Sequence, residues 1–221
     1  MRKAIVTGGS RGIGHAIVEI FEQQGYSVIA PTREELDLSN NESISSFIEK
    51  DGIKEADILV NNAAENILGT IEILPPQTLA RMMQVNFFAP WMLISQIAPC
   101  MAERGFGRII NISSVYGIRA RSMRGAYTSS KSALIGLTKT AAVEYGSSGV
   151  LINSVAPGFI DTELTRTNNS AEDLLKITNQ IPLKRLALPT EIANFVAWLC
   201  SENNTYITGQ DIAIDGGFLI S

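Results

Sequence analysis

The sequence predicts an α/β fold, an open parallel sheet covered on both faces by helices in a doubly wound arrangement. Short apolar runs alternate with amphipathic helical patterns along the whole chain. The runs are continuously apolar instead of alternating with polar residues, as strands buried on both faces are. The first run ends in a cluster of glycines that opens directly into a helical pattern.

The elements follow in order. "KAIVTGG" is a buried strand, and "HAIVEIFEQQG" is a helix closed by Gly25. "SVIAPT" and "ADILVNNAA" are strands, the latter followed by one long helix around "PQTLARMMQVNFFAPWMLISQIAPCMAERG". "GRIINISSV" is a strand and "YTSSKSALIGLTKTAAVEYG" a helix. "VLINSVAPG" is a strand leading into a polar stretch, 159–180, which reads as an irregular mobile loop over a site. "PTEIANFVAWLCS" is a helix with Thr190 as its N-cap, and "QDIAIDGG" is the closing strand. No linker, repeat or composition shift divides residues 1–221, so a single domain is expected.

The totals narrow the function. The 221 residues are 45% hydrophobic and 18% charged, enough for a core. A formal net charge of −4 lacks the basic footprint of a nucleic-acid binder. No leader-like apolar segment opens the chain, and no uninterrupted apolar run is long enough to span a bilayer, so a soluble cytoplasmic protein is expected. Cys100 and Cys200 read as buried thiols of a reducing compartment. His15 is the only histidine and reads as a surface residue, leaving no clustered ligands for a metal. Trp91 and Trp198 read as core or subunit-interface residues.

The first turn, "TGGSRGIG", places Gly8, Ser10, Arg11, Gly12, Ile13 and Gly14 between a strand and a helix. Such a turn lets backbone N–H groups and a helix N-terminus approach a pyrophosphate. Its G-x-x-x-G-x-G spacing differs from the common dinucleotide fingerprint, and a tight turn without a ligand remains open. After the second strand an acidic residue would bond a ribose 2′-hydroxyl, whereas an arginine would receive a 2′-phosphate. The chain offers Arg33 there and Arg11 in the turn, so NADP(H) is favoured with NAD(H) possible; Glu34 and Glu35 argue the other way.

Tyr127 and Lys131 lie four apart at the start of a helix and so share a face. A nearby ammonium favours a phenolate and lowers the tyrosine pKa toward a range useful for proton transfer. A half-buried tyrosine beside a snorkelling lysine would show the same spacing. Ser113 and Ser114 end a strand at the carboxyl edge of the sheet, where ligands bind in open α/β folds. Asn86 stands inside an apolar helix and needs a partner for its amide, through a kink with a water or a helix–helix hydrogen bond. Arg119, Arg121 and Arg124, between Ser114 and Tyr127, suit an anionic substrate or are solvated charges.

With these residues in order, the chain resembles the classical short-chain dehydrogenase/reductase family from end to end, and "IPLKRLALPTEIA" is most similar to its 3-oxoacyl-carrier-protein reductase branch. "TGGSRGIG" resembles the family's cofactor turn, and "NNAA", which includes Asn62, Ala63 and Ala64, resembles its strand-stabilising motif. Asn86, Ser114, Tyr127 and Lys131 match its catalytic tetrad; Ser114 precedes Tyr127 by thirteen residues, a usual spacing in the family, which favours it over Ser113. Pro157, Gly158, Ile160 and Thr162 match the loop over the nicotinamide. The resemblance implies a Rossmann fold, Tyr127 as general acid/base, Lys131 lowering its pKa and bonding the nicotinamide ribose, Ser114 orienting the substrate, and Asn86 holding a relay water. It implies a carbonyl reductase or alcohol dehydrogenase acting on a small molecule or acyl thioester, as a homotetramer or dimer. The apolar excess on Ala133, Leu134, Leu137, Ala141 and Ala142 agrees with burial against another subunit. A nucleotide sensor without turnover and a lyase or epimerase remain alternatives. The chain departs from the family between its second strand and Asp37–Leu38, the pair that borders the adenine: the intervening helix is lost or reduced to a turn and the third strand is very short.

Overall fold

The computed structural model describes residues 1–221. Six strands form one sheet: β1 Lys3–Val6, β2 Ser27–Ile29, β3 Ile58–Asn61, β4 Gly107–Ile112, β5 Val150–Pro157 and β6 Asp211–Ile214. They are ordered β2-β1-β3-β4-β5-β6, and every neighbouring pair is parallel. Successive residues of a strand point to opposite faces, so an all-apolar strand feeds two cores at once. Ile5, Leu59 and Ile109 enter one core, under α2 (Asn41–Ile48), α4 (Ala89–Glu103) and α6 (Gly125–Tyr145). Their neighbours Val6, Val60 and Ile110 enter the other, under α1 (Gly12–Gln23) and α9 (Pro189–Cys200). Two cores on the two faces of a parallel sheet are the predicted Rossmann-type architecture.

The structure corrects several details. Residues 30–40 form turns and no strand, so the very short third strand is absent and β2 is the sheet edge. A crossover to another parallel strand takes about a dozen residues; here the chain passes straight into α2, which Asn40 caps through its side-chain oxygen. The polar stretch 159–180 holds two helices, α7 Glu163–Thr167 and α8 Ala171–Gln180, and Ile177 anchors the second against Val115, Tyr116, Phe159 and Phe218. Thr190 does not cap α9: Pro189 starts that helix, and the Glu191 carboxylate accepts the Leu188 N–H at 2.8 Å. Leu134, Leu137, Ala141 and Ala142 are buried within the chain's own core, because α6 packs on the sheet and on α4 together. Their apolar excess therefore needs no second subunit. Cys200 is buried, but Cys100 is only half-buried.

One helical stretch, Pro76–Glu103, is long and apolar enough by length and composition to cross a bilayer, against the sequence expectation. In this fold it is interrupted by a π turn, Gln84–Phe88, between α3 (Pro76–Met83) and α4. Its Met82, Leu93, Ile97 and Met101 are fully buried in the protein, so here it is a core helix.

Candidate active site

A cleft of about 420 Å³ runs along the carboxyl ends of β1, β3, β4 and β5. The glycine turn forms one wall. Gly8 takes φ +66°, and a Cβ there would lie 2.9 Å from the Ala63 Cα. A Cβ on Gly14 would lie 2.2 Å from the Gly8 carbonyl oxygen; Gly14 is buried behind the turn and does not line the cleft. Its requirement is packing of turn on helix, not contact with a ligand. Asn62 fastens this wall, donating its amide protons to the Thr7 and Gly8 carbonyls at 3.0 and 3.1 Å. The Thr7 hydroxyl accepts from the Asn62 and Ala63 N–H groups. Ala64 tolerates its place because its backbone is outside the left-handed region.

No side chain caps the start of α1, so its first N–H groups open toward the cleft beside Ser10, Arg11, Gly12 and Ile13. An uncapped helix end beside two left-handed glycines fits a pyrophosphate. On the adenosine side, Arg33, Asp37 and Leu38 line the cleft. Glu34 and Glu35 do not, and Glu35 instead accepts the Thr32 N–H at 2.8 Å. The Asp37 carboxylate is committed to the Ser39 hydroxyl and N–H, which hold its pKa below the usual carboxylate value. Arg11 pairs across the cleft with Glu163, a residue missed in the sequence, at 2.7 Å.

The far wall gathers the polar residues of β4 and α6. Ser113 is buried and donates to Asp211 at 2.7 Å and to the Val155 carbonyl at 3.0 Å, a sheet-fastening role. Ser114 turns into the cleft as the N-cap of α5 (Val115–Ile118), its hydroxyl oxygen accepting the Tyr116 N–H at 3.1 Å, and lines the cleft with Tyr127. Lys131 is 2% exposed; its ammonium donates to the Ile112 carbonyl at 2.7 Å and lies 5.8 Å from the centre of the Tyr127 ring. Burial lowers its pKa to about 7. Burial also raises the Tyr127 pKa, while the Ser114 hydrogen bond and the Arg124 charge pull it back. The sequence expectation gave that lowering to Lys131 alone. In the structure the Tyr127 pKa is raised on balance, and the groups that draw it down are Ser114 and Arg124, while the Lys131 ammonium is turned to the Ile112 carbonyl.

Asn86 is 1% exposed, lies outside the cleft and sits at the centre of the π turn. Its amide donates to the Glu65 carbonyl and to the Ser130 hydroxyl, and its oxygen accepts the Glu65 N–H. Ser130 in turn donates to the Tyr127 carbonyl. The side chain thus ties the π turn, the loop after β3 and the catalytic helix together. Both its amide protons are committed to protein acceptors. Pro157, Gly158, Ile160 and Thr162 close the cleft from above β5. Two more lining residues went unmarked in the sequence, Tyr116 and Phe159, whose rings meet edge to face.

The profile described as enoyl-(acyl carrier protein) reductase matches residues 30–219. An uncharacterized oxidoreductase, YxjF, from Bacillus subtilis is 35% identical, over 99% of both chains. The 3-oxoacyl-[acyl-carrier-protein] reductase of Vibrio cholerae is 34% identical over 97% of this chain and 96% of its own. Among solved structures, a putative NAD(P)-dependent gluconate 5-dehydrogenase from Beutenbergia cavernae with bound NADP superposes with a TM-score of 0.94 at 30% identity, covering 100% of this chain and 97% of that one. A 4-hydroxyisoleucine dehydrogenase complexed with NADH has the same TM-score at 31% identity, with full coverage of both. The glycine turn, the serine–tyrosine–lysine cluster and these likenesses agree: the chain belongs to the short-chain dehydrogenase/reductase family and is an NAD(P)-dependent oxidoreductase.

Proposed function

We propose that this chain reduces a ketone with NADPH, the same site running the reverse oxidation of a secondary alcohol. One observation carries the reading: Ser114, Tyr127 and Lys131 converge at one end of a cleft whose other end is an uncapped helix N-terminus in a glycine turn. Bound between those ends, the nicotinamide supplies the hydride. Ser114 donates to and orients the substrate oxygen. Tyr127 gives that oxygen its proton, so carbon gains the hydride, oxygen the proton, and a C=O bond becomes an alcohol. Lys131 bonds the ribose and steadies the tyrosinate left behind, and Asn86 positions the helix that carries both. The remaining matched positions that line the cleft, from Gly8 to Thr162, hold the dinucleotide, with Gly14 supporting the turn from behind.

Preference for NADP(H) rests on Arg33, which lines the adenosine end while both following glutamates stay out of the cleft and Asp37 is occupied by Ser39. A 3-oxoacyl thioester is one candidate ketone, supported by likeness to the Vibrio cholerae reductase. The chain acts as one domain and, by family likeness, as a homo-oligomer. The test follows oxidation of NADPH, then NADH, against a panel of ketones and thioesters. Tyr127→Phe is expected to lower kcat by about 100-fold or more, the usual contribution of a general acid. Equal turnover in that variant, or a preference for NADH, would overturn the corresponding part.

A further inference from the structure

We infer that Arg124 is the specificity-determining residue of this site, and that it selects a small ketone carrying a carboxylate. The inference rests on the ketone-reductase reading and narrows its substrate. Arg124 is 5% exposed and lines the same cleft as Tyr127 and Ser114. A guanidinium carries five N–H donors, yet no carboxylate lies within 4 Å of it and no protein acceptor takes a hydrogen bond from it; its one close partner is the Tyr116 ring, 4.9 Å away. The other arginines of the cleft are satisfied or in water: Arg11 pairs with Glu163, and Arg33 is exposed.

The largest effects at this position are unfavourable for a cation, and the Tyr116 ring offsets only part of them. Burial without a counter-charge carries a desolvation penalty. Arg124 caps the N-terminus of α6, where the helix dipole disfavours positive charge. Arg121 adds repulsion. The preceding residue, Met123, holds the strained φ of +66°, and a short bridge to Gly69 pins the segment. A bound anion offsets the burial, dipole and repulsion costs, and the pinned segment holds the guanidinium in place to receive it. Arg119 and Arg121, named with Arg124 in the sequence, instead line a separate small cleft with Asp173 and Lys176. Arg121 donates to the Tyr116 hydroxyl at 2.9 Å and so helps set the ring against which Arg124 rests.

Placement sets the kind of anion. Arg124, at the N-cap position of α6, lines the same cleft as Tyr127, and its charge acts on the Tyr127 phenol. A carboxylate held by Arg124 therefore belongs to the same small substrate whose ketone meets Tyr127, as in an oxo acid or its hydroxy-acid product. A 3-oxoacyl thioester offers no such carboxylate.

The test compares matched pairs with the cofactor: 3-oxobutanoate and 4-oxopentanoate, each against its ethyl ester. The wild type is expected to favour an acid over its ester by about 100-fold in kcat/KM, the scale of one buried charged pair. Arg124→Gln should erase most of that ratio, mainly through KM. Arg124→Lys should keep part of it, and Arg119→Gln should leave it unchanged. Titration calorimetry of the acids into protein saturated with NADP⁺, where no turnover is possible, gives a readout free of chemistry. Wild-type preference for the esters, no binding of either acid, or equal acid binding by wild type and Arg124→Gln would each overturn the inference. Arg124-dependent binding without cofactor oxidation would uphold it and sink the reductase reading instead. The wild-type acid-to-ester comparison decides the matter even if a variant fails to fold.

Discussion

Lys131 carries the strongest titration signature in the site. Its pKa is about 7 in the folded chain because burial removes the ammonium from water, against 10.5 for the free side chain. Between those values the unfolded chain binds a proton that the folded chain does not. Folding therefore gains stability as pH rises through that window, by roughly 1.4 kcal/mol per pH unit. Below about pH 7 both states are protonated and the full penalty of a buried charge is present. Lys131→Met removes the titration, so the stability difference between variant and wild type should shift in favour of wild type by that slope from pH 7.5 to 9.5. Urea denaturation of the cofactor-free proteins at several pH values measures it. A difference that stays flat with pH would mean Lys131 remains charged in the fold.

At the scale of elements, the π turn at Asn86 converts a straight core helix into a support for the catalytic one. Asn86→Ala strands the Glu65 N–H and carbonyl and the Ser130 hydroxyl away from their partner. A cost of about 2–4 kcal/mol is expected from those buried groups, with a clear fall in the thermal midpoint. An unchanged midpoint would show that water replaces the side chain. The elements themselves were unevenly legible. Strands β1, β3, β4 and β5 declared themselves as apolar runs because both faces are buried, and Tyr127 and Lys131 declared themselves by helical spacing. The helix α2 carries a signal in Asn40 before an Ile44, Phe47, Ile48 stripe, but at eight residues it spans only about two turns and does not stand out from the turns before it. Helices α7 and α8 were hidden because they are short, polar and held by few apolar contacts such as Ile177. The Arg11–Glu163 pair and the Arg124–Tyr116 contact join residues distant or unpatterned in sequence, which no spacing rule detects.

At the scale of the molecule, the folded chain leaves apolar side chains outside its two cores. On α4 and the π turn before it, Phe88 and Trp91 are 49% and 51% exposed and stand one helical turn apart, with Phe87 against the Trp91 ring. On α6, Val143 is 84% exposed even though Ala141 and Ala142 beside it are buried. The proposed homo-oligomer would cover such surface, and one aromatic pair at the centre of an interface can carry a large share of its energy. Trp91→Glu places a charge where burial would remove it from water, so it should shift the assembly toward monomer without unfolding it, since Trp91 lies outside both cores. Light scattering coupled to size-exclusion chromatography reads the mass directly against the 23.9 kDa chain. A wild type that elutes as a monomer would remove the oligomer from the proposal. An oligomer that survives Trp91→Glu intact would move the interface away from α4, and Val143→Glu would then test α6, which exposes that side chain.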